Sequence, residues 1–255
     1  MMLPPQFLKT PLAHRALHDV ALQRPENSAA AVQAAVDAGY GIEIDVQVSS
    51  DNRAIVFHDY DLARLTDGRG AINERRAEDL STIPLTGGGG AGIPGLSDVL
   101  AMVGGQVPLL IEIKDQDGAL GPEVGVLEAA VADALQDYAG AVAVMSFNPH
   151  SMVAMQTLAP EVPRGLVTEA FQRADWGETP ISRLISLTNI SDYERVGASF
   201  ISHNKRDLHH PRVAELKSQG ARILTWTIRS PEEERKAREI AENITFEGYL
   251  PAPAP

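Results

Sequence analysis

The chain has 255 residues, of which 44% are hydrophobic, so it can bury a large core in one α/β domain or in two small ones. Its formal net charge of -12 argues against a nucleic-acid-binding surface, which needs a basic stripe. The count of Cys is 0, which excludes disulfides, thiol nucleophiles and thiolate metal sites, so any metal must be held by oxygen or imidazole.

The first residues, MMLPPQFLKTPL, lack the charged and then apolar pattern of a signal peptide. No apolar run reaches the length of a membrane span. We therefore expect a cytoplasmic protein without a membrane span. The sequence favours no particular oligomeric state.

In chain order, short apolar runs alternate with amphipathic helical stretches. Residues 11–15 are predicted to form a short strand that ends in His14 and Arg15. Residues 28–37 are predicted to form a helix, with Asn27 or Ser28 as its N-cap and Gly39 just beyond its last turn.

Residues 40–59 are predicted to form a hairpin of two strands around a polar turn at residues 50–52. Glu43 and Asp45 alternate with isoleucines in the first strand, so both carboxylates project from one face. Two carboxylates this close repel each other by roughly 1 to 4 kcal/mol. A hard divalent cation is the natural compensation.

The hairpin is followed by a polar segment, residues 60–92, which ends in a glycine run. That run lacks the Lys-Ser/Thr ending of a phosphate-binding loop, so we interpret residues 86–92 as a mobile surface loop, with a lid as the alternative.

Further strands are predicted at residues 108–114, 141–147, 164–168, 199–203, 222–228 and 244–249, and further helices at 98–103, 123–136, 149–158, 211–219 and 231–241. Residues 171–190 give no clear prediction. Buried, largely parallel strands that alternate with helices favour an α/β fold of the (β/α)₈ TIM-barrel type, with a doubly wound open sheet as the second possibility. We expect a single domain over residues 1–255, with an insertion after the second strand at about 49–92.

Six motifs follow one another along the chain. They are His14-Arg15, Pro25-Glu26-Asn27-Ser28, Glu43-x-Asp45, Val56-x-His58-Asp59-x-x-Leu62-x-Arg64, Glu112-x-Lys114 and Trp226-Thr227. In this order they resemble the glycerophosphodiester phosphodiesterase family from about residue 14 to residue 251. The resemblance implies a TIM barrel that cleaves glycerophosphodiesters to sn-glycerol 3-phosphate and an alcohol with a divalent cation.

The chain departs from the family pattern at several positions. The usual glycine after His-Arg is Ala16, the usual threonine after Pro-Glu-Asn is Ser28, and Ser50 precedes Asp51 in the hairpin turn. The last strand ends in residues 244–249, ITFEGY, instead of the common Thr-Asp-x-Pro. None of these changes removes a charged residue of the predicted site.

Glu43, Asp45 and Glu112 are the predicted metal ligands. Three carboxylates suit Mg²⁺ or Ca²⁺, and barrel strands place such ligands at the carboxyl-terminal mouth. His14 and His58 end predicted strands and match the family's catalytic pair, so the resemblance implies general acid and base roles for them. The alternative for each is a structural histidine.

Four further residues are predicted to bind the substrate. Arg15 and Lys114 would bind its phosphate, although Lys114 could instead be only the counter-ion of Glu112. Asn27 is predicted to be an active-site amide or a helix cap, and Trp226 either a pocket wall or a core residue.

The leading function is metal-dependent hydrolysis of a small-molecule glycerophosphodiester. The alternatives are a phospholipase D-like or cyclising phosphodiesterase (lyase) on the same barrel, and a barrel that only binds a polyol phosphate. The second alternative predicts loss of a histidine or a metal-binding acid, and both sets are intact.

Overall fold

The structure, a computed structural model, describes residues 1–177 and 179–252. Its strands are β1 (Leu12–Ala13), β2 (Gly41–Val48), β3 (Ala54–Val56), β4 (Leu109–Ile113), β5 (Val142–Ser146), β6 (Arg164–Thr168), β7 (Phe200–Asn204), β8 (Arg222–Ile228) and β9 (Asn243–Phe246). Its α-helices are α1 (Gln6–Lys9), α2 (Ala29–Ala38), α3 (Ala77–Ser81), α4 (Leu96–Val103), α5 (Val126–Leu135), α6 (Pro149–Leu158), α7 (Ile181–Thr188), α8 (Pro211–Ser218) and α9 (Pro231–Ala237). Glu178 and residues 253–255 of the predicted single domain lie outside the described residues.

All strands except β3 form a closed parallel barrel. The ring closes because β1 pairs in parallel with both β2 and β9. The predicted (β/α)₈ barrel is therefore confirmed, and the open doubly wound sheet is excluded. The remaining strand, β3, pairs antiparallel with β2 and so completes the predicted hairpin.

Alternation along β2 divides the side chains between two layers. Ile42, Ile44 and Val46 belong to the large apolar cluster that packs the strands against the helices. The residues between them belong to the opposite face, inside the barrel. A smaller cluster fills that interior below the mouth, with Leu110, Met145 and Phe200 among its members.

The amino-terminal helix α1 closes the barrel end at which the strands begin. Phe7 of α1 belongs to the interior cluster, and Asn243 at the start of β9 donates hydrogen bonds to the carbonyls of Phe7 and Thr10. Gly165 makes room for the ring of Phe200, since a Cβ there would lie 2.4 Å from that ring. Because side chains fill the end at which the strands begin, we expect the active site at the opposite, carboxyl-terminal end.

Two helix starts differ in detail from the sequence prediction. Ser28 caps α2 by accepting a hydrogen bond from Ala31 N, so Asn27 is not the cap, and Gly39 takes the left-handed position after the helix. Helix α4 begins two residues before the predicted start at residue 98, directly after Gly95, whose amide donates to the Asp98 carboxylate. A carboxylate at the third helical position accepts in this way from the amide of the residue before the helix.

The insertion between β2 and β4 has an apolar core of its own, which its polar composition did not predict. Phe57, Leu62, Ile72, Leu80 and Ile93 are fully or almost fully buried in one cluster. The insertion therefore forms a rigid platform beside the barrel mouth. Among the described residues, none of the helices combines the length and the apolar character that crossing a bilayer requires.

Candidate active site

Three carboxylates meet inside the barrel near its mouth. Asp45 of β2 and Glu112 of β4 are direct partners in the parallel register, and Glu43 lies two residues before Asp45 on the same face. One carboxylate oxygen from each lies within 4.8 Å of the others, and all three side chains are buried. The structure thus brings together all three predicted metal ligands.

Two cationic side chains face this cluster. Lys114 Nζ lies 2.7 Å from Glu112 Oε1 and 3.0 Å from Asp45 Oδ1. Arg15 Nε lies 3.6 Å from Asp45 Oδ2, and the Arg15 backbone amide donates to Glu43 Oε2 at 2.9 Å. Lys114 therefore has the predicted counter-ion contact with Glu112, and it also bridges to Asp45.

The carboxylates differ in how well they are compensated. Burial, and then the charges of Asp45 and Glu112, raise the pKa of Glu43 well above its ordinary value. Burial would also raise the pKa of Asp45, but Lys114, His58 and Arg15 hold it well below its ordinary value. Glu43 is therefore the carboxylate for which the protein supplies too little positive charge.

A divalent cation fits this donor set. The three carboxylates outnumber their two cationic partners, and Arg15 also binds Glu26, so the cluster carries excess negative charge. Oxygen donors are what Mg²⁺ and Ca²⁺ prefer. A bound cation lowers the pKa of its carboxylate ligands, so it would offset the rise that burial and the two neighbouring acids cause at Glu43.

The two predicted catalytic histidines share one arrangement. His14 Nδ1 lies 2.5 Å from Glu247 Oε2, and His58 Nδ1 lies 2.6 Å from Asp59 Oδ1. A carboxylate at Nδ1 holds the proton there and leaves Nε2 free for proton transfer. Burial lowers the pKa of His58, with the charge of Asp45 opposing it.

Glu247 follows β9 and binds more than His14. It also accepts from Arg229 Nη2 at 2.6 Å, and His18 Nε2 lies 3.7 Å away. The hydrogen bonds from His14 and His18 lower the pKa of Glu247, so it stays ionised. The one sequence signal near Glu247 is that the end of the last strand departs from the family pattern.

The loop after β1 adopts unusual backbone angles. Arg15, Ala16 and Asn27 have left-handed φ values of 52°, 64° and 58°. At Ala16 this explains why the family pattern has glycine there, since glycine adopts that angle without strain. The turn directs the Asn27 side chain to Asp45, to whose carboxylate it donates at 3.0 Å.

Glu26 connects this loop to the insertion. Arg15 Nη1 donates to Glu26 at 2.7 Å, and Arg64 of the insertion binds Glu26 and Asp59 at the same time. Burial opposes ionisation of Glu26, but hydrogen bonds from Arg64 and Arg15 lower its pKa. The network fixes Arg15 on one side of the mouth and Asp59, which orients His58, on the other.

Both histidines, Arg15, Lys114 and the acids line a small cavity of about 70 Å³. Trp226 of β8 also lines it, and its indole N–H donates to the carbonyl of Ser202. Trp226 therefore offers this cavity its ring and not its polar atom. Of the histidines outside this cavity, His203 is buried against Thr168, and His209 is exposed.

The sequence did not predict roles in the site for four further residues, which are Asp59, Glu26, Arg64 and Glu247. The first three lie within the quoted motifs, so their positions carried a signal. Apart from His58 next to Asp59, their partners lie 5 to 38 residues away, and only the folded chain identifies them.

The chain is similar in sequence to proteins of one known family. Residues 14–242 match the model of the glycerophosphoryl diester phosphodiesterase family. A Bacillus subtilis glycerophosphodiester phosphodiesterase is 25% identical over 211 residues, which are 73% of this chain and 71% of that one. The uncharacterised Bacillus subtilis protein YqiK is 31% identical over 89% of this chain and 90% of its own length.

Solved structures agree on the fold. An Oleispira antarctica phosphodiesterase, determined with the product sn-glycerol-3-phosphate, superposes with a TM-score of 0.78 at 24% identity. The match covers 94% of this chain and 93% of that one.

Proposed function

The chain belongs to the glycerophosphoryl diester phosphodiesterase family, and on that premise we propose that it hydrolyses glycerophosphodiesters to sn-glycerol 3-phosphate and an alcohol with the help of a divalent cation. One observation carries the proposal. A buried triad of carboxylates with two cationic partners lies in the same cavity as two histidines, each held by a carboxylate.

Glu43, Asp45 and Glu112 would hold the cation, which is Mg²⁺ or Ca²⁺. When bound, such a cation supplies positive charge that polarises a phosphoryl oxygen. Asn27 orients Asp45 through its amide, so we assign it this positioning role. A direct contact between Asn27 and the substrate stays a prediction.

Arg15 and Lys114 would bind the phosphate. A divalent cation would offset the excess negative charge of the three acids, so that the site could accept the single negative charge of a phosphodiester. The Arg15 guanidinium offers the forked geometry that phosphate oxygens prefer. Trp226 would form the wall against the glycerol or alcohol part, since its polar atom is already used within the barrel.

His14 and His58 would move the protons. Each keeps a proton on Nδ1 for its carboxylate, so Nε2 of one accepts a proton from the nucleophile while Nε2 of the other donates to the leaving alcohol. We propose that the barrel and its insertion, residues 49–92, act as one domain. The cytoplasmic location stays a prediction.

The direct test is release of sn-glycerol 3-phosphate from a panel of glycerophosphodiesters. We expect turnover with at least one member of the panel, and glycerol 3-phosphate as the common product. Absence of that product from every diester, in the presence of Mg²⁺, Ca²⁺ or Mn²⁺, would contradict the proposed function.

Removal of divalent cations should abolish turnover and lower the thermal unfolding midpoint. A cation at 100 times its Kd stabilises the folded protein by about 2.7 kcal/mol, and chelation removes that stabilisation. Activity and the midpoint are to be measured before and after exhaustive demetallation and after the metal is restored.

The matched control is Glu43→Gln, which keeps the size of the side chain and removes one ligand charge. Its unfolding midpoint should respond much less to Mg²⁺ or Ca²⁺ than that of the unmodified protein. If the demetallated protein keeps full activity, the three acids are not a metal site that catalysis needs.

Glu247→Gln should lower kcat by at least about tenfold, because an amide no longer fixes the proton on His14 Nδ1. Glu247→Asp keeps the charge and should recover most of the rate. A full rate in Glu247→Gln, or a loss of rate that Glu247→Asp does not recover, would exclude the positioning role.

A further inference from the structure

A second cavity of about 320 Å³ opens directly beside the candidate active site. It shares His58, Glu112, Lys114 and Phe147 with the small cavity that holds the carboxylates. A phosphodiester held between Arg15 and Lys114 must send one of its two alcohol parts away from the small cavity. The larger cavity is where that part would go.

Aromatic side chains form much of its wall. Phe147 and Trp176 pack with their ring centroids 5.4 Å apart, and Tyr60 contributes a ring that is 50% exposed. These residues come from different parts of the mouth: Tyr60 follows β3, Phe147 follows β5, and Trp176 lies in the segment after β6. The wall is therefore formed by convergence of separate loops.

The apolar floor is held in a fixed position. Leu120 is almost fully buried with a left-handed φ of 52°, and its amide donates to Asp115 at 2.9 Å. Its carbonyl accepts from Arg183, and Asn148 donates to Asp115. A non-glycine residue keeps such an angle only where its surroundings enforce it, so the cavity is preorganised.

Three carboxylates line this cavity, and they differ in their partners. Asp59 is paired with Arg64 and Glu112 with Lys114, whereas Asp115 accepts from the uncharged amides of Leu120 and Asn148. The carboxylates of Asp115, Glu112 and Asp117 also help to raise the pKa of the Tyr60 hydroxyl, after burial. An acidic rim over aromatic rings attracts a cation.

We propose that this cavity binds the alcohol part of the substrate and is selective for a quaternary ammonium alcohol such as choline; the inference rests on the proposed function. Methyl groups around the nitrogen suit the apolar walls, and the spread positive charge is attracted by aromatic faces and by the carboxylates. A primary ammonium is more strongly hydrated, so its transfer into an apolar cavity costs more free energy than that of a quaternary ammonium. A hydrocarbon chain has no charge for the carboxylates to attract.

The test compares kcat/KM for four diesters that differ only in the alcohol: glycerophosphocholine, glycerophosphoethanolamine, glycerophosphoglycerol and the neutral 3,3-dimethylbutyl isostere of the choline diester. We expect the choline diester to exceed each of the others by about three- to thirtyfold. Equal values for choline and its isostere would overturn the selection of positive charge. Equal values for all four would overturn the subsite while leaving the proposed hydrolysis intact, whereas no glycerol 3-phosphate from any of them would contradict the hydrolysis itself.

Trp176→Ala and Tyr60→Ala should each lower the ratio of kcat/KM for the choline diester to kcat/KM for glycerophosphoglycerol by about three- to thirtyfold. Trp176→Phe and Tyr60→Phe keep a ring and should recover most of the choline preference. A loss that is equal on all four diesters would mean that these rings serve only the structure of the mouth. Using both positions keeps the test decisive if one alanine variant does not fold.

Discussion

Replacement of His14 or of His58 by alanine should slow turnover by about 10² to 10⁴ and leave the fold intact. Each imidazole lies at the mouth, held by a single carboxylate, with its side chain 16% or 30% exposed. Its loss therefore removes a proton carrier without opening the barrel core. Steady-state rates and the unfolding midpoint, measured on the same preparations, check both parts of the expectation.

The matched control is His209→Ala, which removes an exposed imidazole from another part of the chain and should keep the full rate. An unchanged rate in His14→Ala or His58→Ala would remove that residue from the mechanism. A fall in the unfolding midpoint together with the rate would point to a structural role instead.

The pH dependence of kcat/KM is a second test of the roles of His14 and His58. If one histidine accepts and the other donates a proton, kcat/KM should follow a bell-shaped curve. Burial lowers the pKa of His58 below about 6.5, and a bound cation nearby would lower it further. The limb that belongs to His58 should then lie below pH 6.5 and be absent in His58→Ala.

The sequence predicted the barrel well because its strands alternate with helices and because several elements carry clear local signals. Helix α6 begins with a proline at its first turn, and the structure has it at the predicted residues. The two strands of the predicted hairpin, β2 and β3, also formed as expected. Closure of the ring depends on pairing between β1 and β9, which are more than 200 residues apart, and no local pattern reports that.

Some contacts of the candidate site also follow from local sequence patterns, whereas others depend on the folded chain. Glu43 and Asp45 share a strand face, so their proximity followed from local periodicity alone. Their meeting with Glu112 depends on the register of β2 against β4, which only the folded barrel fixes. Glu247 lies 233 residues from His14, and no motif linked the two.

The insertion has a buried cluster that its polar composition did not predict. Its few apolar residues converge there, whereas the glycine run at residues 86–92 stays at the surface and outside the cluster. Spacing in sequence does not reveal the cluster, because apart from β3 the segment contains only short helices and turns with no sustained period. The cluster supports Arg64, which connects Glu26 and Asp59 across the mouth.

A diester that lacks the 2-hydroxyl of glycerol should bind but react at least about 10³-fold more slowly than the natural substrate. The chain has no Cys, so a thiol cannot be the nucleophile. Two hydroxyl side chains, Ser202 and Thr245, line the small cavity that holds both histidines. Within the described residues, neither of them forms a hydrogen bond with a histidine. The nucleophile is then either water or the substrate's own 2-hydroxyl, which is tethered next to the phosphorus. Well-oriented intramolecular attack contributes up to about 7 to 11 kcal/mol, and the expected 10³-fold loss needs about 4 kcal/mol of it.

In this route the 2-oxygen forms a bond to phosphorus as the bond to the leaving alcohol breaks. One histidine takes the hydroxyl proton and the other gives a proton to the alcohol, and their roles reverse when water opens the resulting cyclic phosphate to sn-glycerol 3-phosphate. An analogue that lacks only the 1-hydroxyl is the matched control and should react at nearly the full rate, since its nucleophile is intact. Phosphorus NMR of a single turnover should detect the cyclic phosphate. Efficient hydrolysis of the analogue without the 2-hydroxyl would instead establish direct attack by water, with the two histidines keeping fixed roles as base and acid.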